Sequence, residues 1–342
     1  MTAMTQKILC LGEVLLRLSP PGKQLLLQSP AFEAHVGGAE ANVAVGLARL
    51  GHASSMITAL PESPLGRACA DELRRHGVDI GAVQFRATGR VGLYFLTHGA
   101  GHRPAEVLYD RAQSAFAMAP ADSFDFVALL AGAQWLHVSG ITPAISAAGA
   151  ETALRAVQAA RAAQVKISFD CNFRARLWGS RTPEAPALLK QLCEHADLIF
   201  GDDRDIAFMV GLDGADAAPT QRRQRAAAAA FQAFPALQWI AYTERSRSSV
   251  EVQQLSGALH SRSSVVTTKP YPLHGIVDRI GAGDAFAAGI LHGLISGLDP
   301  QATVNFGTAA ACLKHTIPGD FNLITSADVD LLLSELQMDV RR

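Results

Sequence analysis

Charge of one sign, long uncharged runs and paired cysteines are all scarce in this chain, and each scarcity removes a class of function. A formal net charge of −1 and a pI near 6.8 leave no broad cationic surface for nucleic acid or an anionic membrane. Any phosphate must therefore be held locally, by backbone amides and a few cations. The longest uncharged stretch, 126–150, is broken by Gln134, His137, Gly140 and Pro143 and is too polar to span a bilayer. The five cysteines, Cys10, Cys69, Cys171, Cys193 and Cys312, are scattered without a C-x-x-C spacing. That pattern fits reduced thiols better than disulfides or a zinc site. The first residues lead straight into an apolar strand without a signal-peptide layout, so a cytoplasmic location is expected. No G-x-x-x-x-G-K-[ST] loop occurs, and the G-x-G-x-x-G spacing of a dinucleotide enzyme is also missing.

The 342 residues can bury a large core, and 49% hydrophobic against 18% charged residues points to a packed protein and not a disordered one. Short apolar runs alternate with helical patterns, which predicts a parallel sheet covered by helices on both faces. Expected strands are Lys7–Leu11, Ser55–Ala59, Trp135–Val138, Lys166–Phe169, Leu198–Phe200 and Trp239–Tyr242. Expected helices are Ala39–Leu50, Leu65–His76, Ser146–Ala163, Gln221–Phe234 and Ala285–Leu298. Two segments, 13–36 and 91–116, break the rhythm with Gly and Pro punctuation and strand-like alternation. The second reads as a hairpin around a turn at 99–104. These segments are expected to form a small β lid, and 1–12, 37–90 and 117–342 the α/β domain. Surface hairpins without a role are the plain alternative.

The run Asp278-Arg279-Ile280-Gly281-Ala282-Gly283-Asp284-Ala285-Phe286 is the most informative feature. Two glycines deliver the chain to a carboxylate at the start of an apolar helix. Unpaired N–H groups and the positive end of the dipole make such a start an anion site, and glycine lets a phosphate approach closely. A carboxylate beside an anion site suits a base that takes a proton from a hydroxyl as it attacks phosphorus. A glycine-rich turn with Asp284 as an ordinary cap is the plain alternative.

This run resembles the C-terminal signature of the PfkB (ribokinase-like) family of carbohydrate kinases, Asp-Thr/Arg-x-Gly-Ala-Gly-Asp-x-Phe. Gly37-Gly38-Ala39-Glu40-Ala41-Asn42 is similar to the family's N-terminal signature. The resemblance covers essentially the whole chain. It implies a three-layer α/β/α sandwich with a mostly parallel central sheet and a β lid, with ATP and Mg²⁺ as cofactors. It makes Asp284 the catalytic base, the amides of Gly281, Ala282 and Gly283 the anion hole, and Gly38 and Asn42 sugar-hydroxyl ligands. Where the family has Asn-x-x-Glu, this chain has Asp202 and Asp205, oxygen donors that keep an indirect metal-organising role. Where many relatives have Lys-x-Gly, it has Thr243-Glu244-Arg245-Ser246-Arg247. Arg245 or Arg247 is a candidate phosphate ligand there, and an uninvolved surface loop is an equal reading.

Arginines near the lid and sheet suit a carboxylate-bearing substrate, which a guanidinium meets through its planar fork. The segments around Tyr109 and Arg111, Ile141, and Arg174 resemble the 2-keto-3-deoxygluconate kinase branch. Through that likeness Tyr94, Tyr109, Arg111, Ile141, Arg174 and Asp320 are implied to hold the sugar acid. The expected function is transfer of the ATP γ-phosphoryl group to the terminal hydroxyl of 2-keto-3-deoxygluconate, by a homo-oligomer without nucleic-acid or membrane partners. A fructokinase-like neutral sugar kinase and a non-catalytic sugar-acid binder are the alternatives.

Overall fold

From Ile8 to Leu11 strand β1 (Lys7–Leu11) is inaccessible to solvent, which requires cover on both faces. Its side chains alternate, Ile8 and Cys10 into one core, Leu9 and Leu11 into another. The computed structural model describes residues 7–212, 218–247 and 253–334. In chain order the further strands are β2 (Leu15–Ser19), β3 (Glu33–Gly37), β4 (Ala53–Pro61), β5 (Val83–Arg86), β6 (Gly92–Thr97) and β7 (Glu106–Asp110). They continue with β8 (Ala133–Ser139), β9 (Lys166–Asp170), β10 (Leu198–Phe200), β11 (Trp239–Arg247), β12 (Gln253–His260), β13 (Val265–Thr267) and β14 (Tyr271–Leu273).

Among the described residues the main sheet has ten strands, in the order β13-β12-β11-β10-β9-β8-β1-β4-β5, with β14 also on β12. It is parallel from β11 to β5 and antiparallel beyond. Helices Ala39–Arg49, Ala282–Ile295 and Pro300–Lys314 cover one face, and Ala147–Ala162 with Ala185–Cys193 the other. The result is a helix–sheet–helix sandwich.

Element boundaries moved where local signals were weak. The helix expected at Ala285 begins at Ala282, because Gly281 takes the left-handed conformation (φ 80°) and serves as its N-cap. It ends at Ile295, before Gly297 (φ 72°). The presumed loop at Thr243–Arg247 is strand, since β12 pairs with it register by register, Arg245 opposite Leu255.

A second sheet of four strands, β3-β2-β6-β7, is drawn from residues 15–37 and 92–110. Its register places Arg17 opposite Tyr94, and Tyr94 opposite Tyr109, in one cross-strand row. Leu15, Tyr94 and Leu96 form a small cluster with Val107, Tyr109 and Ile280. Phe116, at the end of the interrupting segment, packs instead into the main core.

Candidate active site

A cavity of about 500 Å³ lies at the carboxyl ends of the parallel strands, below the second sheet. Ligands of open α/β sheets bind at this edge, because each strand there hands the chain to an exposed turn. Ile141 follows β8, Asp170 ends β9 and Arg174 follows it, Asp202 and Asp205 follow β10, and Thr243 lies on β11. Gly38, Asn42, Tyr94, Tyr109, Arg111, Gly281, Gly283, Asp284 and Asp320 line the same cavity.

Asp284 stands in the first turn of the helix Ala282–Ile295. The N–H groups of Gly281, Gly283 and Asp284 have no acceptor among the described residues, whereas that of Ala282 points to Arg279 O at 3.5 Å. Of the expected trio, Gly281 and Gly283 line the cavity and the buried Ala282 does not; the N–H of Asp284, which also lines it, is likewise without an acceptor among the described residues. Glycine is obligatory at 281, where a Cβ would lie 2.0 Å from Asp320 O. At Gly38 (φ 142°) it would lie 2.2 Å from Glu13 O.

Asn42 Nδ2 donates to Asp284 Oδ2 at 2.6 Å, joining two packed helices. Asn42 Oδ1 is buried without a partner. Burial pushes the partly buried Asp284 carboxyl up to about 7; the Asn42 hydrogen bond opposes this, and Asp320 and Glu40 add to it. Burial and then Asp284 push Asp170 up to about 8, and burial with Asp202 pushes Asp205 up to about 6. Asp170 was missed as a site residue; its place at the end of a parallel strand is the signal that could have marked it.

The two arginines differ. Arg174 lines the cavity, donates to Phe173 O at 3.1 Å, and has no carboxylate partner among the described residues. Arg111 also lines it, but its Nε donates to Glu13 Oε2 at 2.6 Å, and both are buried. The two arginines expected to converge thus both line the cavity, with Arg111 also held by Glu13.

Tyr94 donates to Asp320 Oδ2 at 2.7 Å. Arg17, absent from the candidate residues, lies behind this pair, with Nη2 2.7 Å from Asp278 Oδ2 and Nη1 3.0 Å from Asp320 Oδ1. Asp278 also accepts from the N–H groups of Ile280 and Gly319, both at 3.0 Å. One buried arginine therefore ties the second sheet to both sides of the anion turn.

Asp202 and Asp205 cap the helix Asp203–Val210 reciprocally: Asp202 Oδ1 accepts from the Arg204 and Asp205 N–H groups, and Asp205 Oδ2 from that of Asp202. Among the described residues no three acidic, His or Cys side chains form a metal cage, so these two are not a preformed one. Arg245 does not line this cavity; its Nη1 donates to Gln253 Oε1 at 3.0 Å. The side chain of Arg247 lies outside the described residues.

Comparison with known proteins places this geometry. The pattern described as pfkB family carbohydrate kinase matches residues 5–325. A 2-dehydro-3-deoxygalactonokinase of Haloferax volcanii is 34% identical, over 96% of this chain and 97% of its own. A probable fructokinase-7 of Arabidopsis thaliana is 32% identical over 85% and 79%. The crystal structure of a Thermotoga maritima 2-dehydro-3-deoxygluconokinase superposes with a TM-score of 0.90 at 36% identity, over 96% of this chain and 99% of that one. The sandwich is thus the ribokinase-like fold. With Asp284 in the first turn of the helix Ala282–Ile295 and that match along nearly the whole length, this chain belongs to the pfkB family of carbohydrate kinases.

Proposed function

We propose that the chain is a sugar-acid kinase, transferring the ATP γ-phosphoryl group to the terminal hydroxyl of 2-keto-3-deoxygluconate and giving 2-keto-3-deoxy-6-phosphogluconate. One observation carries the acid: Arg174 lines the cavity of Asp284 with no carboxylate at salt-bridge distance among the described residues, although its charge favours the ionised forms of Asp170, Asp205 and Asp284, and its planar fork suits a substrate carboxylate. The names of the Haloferax and Thermotoga relatives support the same substrate class.

In this reading Asp284 removes the proton of the attacking hydroxyl, and Asn42 holds its carboxylate in place. The amides of Gly281, Gly283 and Asp284 meet the charge growing on the transferred phosphoryl group. Asn42 Oδ1 and Asp320 accept sugar hydroxyls, with Gly38 and Ile141 beside them, and Thr243 borders the nucleotide. Tyr94 and Tyr109 belong to a lid, the segments 13–36 and 91–116, that keeps water from competing as acceptor. Asp202 and Asp205, oxygen donors at the cavity after β10, would be the carboxylates that help organise a Mg²⁺ arriving with the phosphates, and the ion would neutralise phosphate charge. Exposed Leu25, Leu27 and Leu108 around the second sheet support a homo-oligomer. Five buried free thiols fit a cytoplasmic location.

A neutral acceptor such as fructose is the second reading, favoured by the engagement of Arg111 with Glu13. The deciding experiment supplies Mg-ATP with 2-keto-3-deoxygluconate, its C4 epimer 2-keto-3-deoxygalactonate, or fructose, and identifies the product by mass spectrometry. The highest kcat/KM is expected for 2-keto-3-deoxygluconate. A preference for fructose overturns the acid reading, and a preference for the epimer moves it to the galactonate.

A further inference from the structure

Lys314 is a buried charge that the reaction above leaves unused. It ends the helix Pro300–Lys314, is completely buried, and donates one hydrogen bond, from Nζ to Ile317 O at 3.0 Å. An ammonium has three donors, and Nζ forms no salt bridge among the described residues. A lysine at a helix end ordinarily keeps its head in water, and withdrawing it is costly. Its surroundings supply the return. A Cβ on Gly281 would lie 3.3 Å from Lys314 Cε, so the side chain runs directly behind the residue that starts the anion turn. Burial lowers its pKa, while Asp278, Asp320 and Asp284 favour its charged form and Arg17 opposes it. On the cavity side Asp170, Asp205, Asp284 and Asp320 all carry acid groups where anionic phosphates must arrive. An anion site among so many carboxylates needs fixed positive charge close by.

We infer that Lys314 is a positioning residue for phosphoryl transfer: its ammonium, bonded to Ile317 O and buried behind the turn at Gly281, keeps a positive charge behind the helix start. The inference rests on the kinase reading. Lys314 does not touch substrate; it acts through Gly281, Asp284 and Asp320.

The test is Lys314→Met in the full chain, a side chain of similar length without charge. Melting temperature, kcat, both KM values and the pH profile are compared with wild type. The variant should melt at the same temperature or higher, because no ammonium is left to desolvate. Its kcat should fall by about 10- to 100-fold, with the sugar KM little changed. The acid limb of kcat/KM should move to higher pH, since a charge that favours ionised Asp284 has gone. Wild-type kcat, an unmoved acid limb, or a variant that does not fold would each overturn the inference. Failure of the kinase reading looks different: the wild-type protein then phosphorylates no sugar.

Discussion

Asp284 sits under opposing demands, and they give its substitution a double signature. Burial raises it from its ordinary 3.8 to about 7, so the folded protein holds this proton more tightly than the unfolded chain. A raised carboxyl costs the fold once ionised, so its contribution to stability falls as pH rises from about 4 to 7 and stays low above. In Asp284→Asn the side chain is neutral at every pH and still accepts from Asn42. The substrate-free variant should melt above wild type at pH 8, with the gap closing toward pH 4, by calorimetry. Its turnover should fall by roughly 10²–10⁴-fold, the usual worth of a positioned base. Near-normal turnover would remove the base assignment. The arginines separate in the same way. Arg174→Lys should lower kcat/KM for the sugar acid by about one to two decades while that for fructose stays nearly constant. Arg111→Met should instead cost about 3–5 kcal/mol in denaturant unfolding, because it leaves the buried Glu13 unpaired. Equal stability losses in the two would contradict this division.

At the scale of elements, the anion turn holds two glycines for different reasons. Gly281 is left-handed, and a Cβ there meets Asp320 O; Gly283 is helical, and a Cβ there meets nothing within 4 Å, on the cavity side. Gly283→Ala should therefore stabilise the free protein by about 0.5–1 kcal/mol through helix propensity. It should also slow turnover, because the methyl fills space meant for phosphate. Gly281→Ala should slow turnover and destabilise. Thermal melts with steady-state rates check both, and a shared sign in stability would refute the distinction. The same turn shows how far local reading reached. Glycine spacing and the following apolar run marked the helix start, but a residue count cannot say that Gly281, and not Asp284, opens it. That depends on Asp320 lying against Gly281. β11 likewise runs past Tyr242 only because β12 lies alongside.

For the molecule as a whole, the second sheet packs Leu16, Leu18, Val36 and Leu93 on the main core and leaves its outer edge at β7 lightly covered. Its own buried cluster is small, and β7 is an edge strand with alternating exposed residues. Arg17 on Asp278 and Asp320, with Arg111 on Glu13, are buried polar ties between it and the sandwich. Few buried contacts mean low local stability. Amides of Glu106–Asp110 should exchange quickly without ligand and slow markedly with sugar acid and a non-hydrolysable ATP analogue. Unchanged protection by mass spectrometry would refute a lid that closes on substrate.

The sequence by itself determined the α/β sandwich, the anion turn with its carboxylate, and most of the residues that line one cavity. The sandwich and the turn rest on periodicity, glycine spacing and a motif, all local along the chain, while most of the cavity residues were implied by the resemblance to the kinase family. The tertiary structure alone decided which charges are free to act. Asn42 meets Asp284 across 242 residues, Tyr94 meets Asp320 across 226, and Arg111 meets Glu13 across 98. Strand register and helix packing choose such partners, and no spacing rule along the chain carries that information. Arg111 and Arg174 look alike as letters. Only the fold shows that both line one cavity while a buried carboxylate holds Arg111, and that Arg17 lies behind Asp320 and Lys314 behind Gly281.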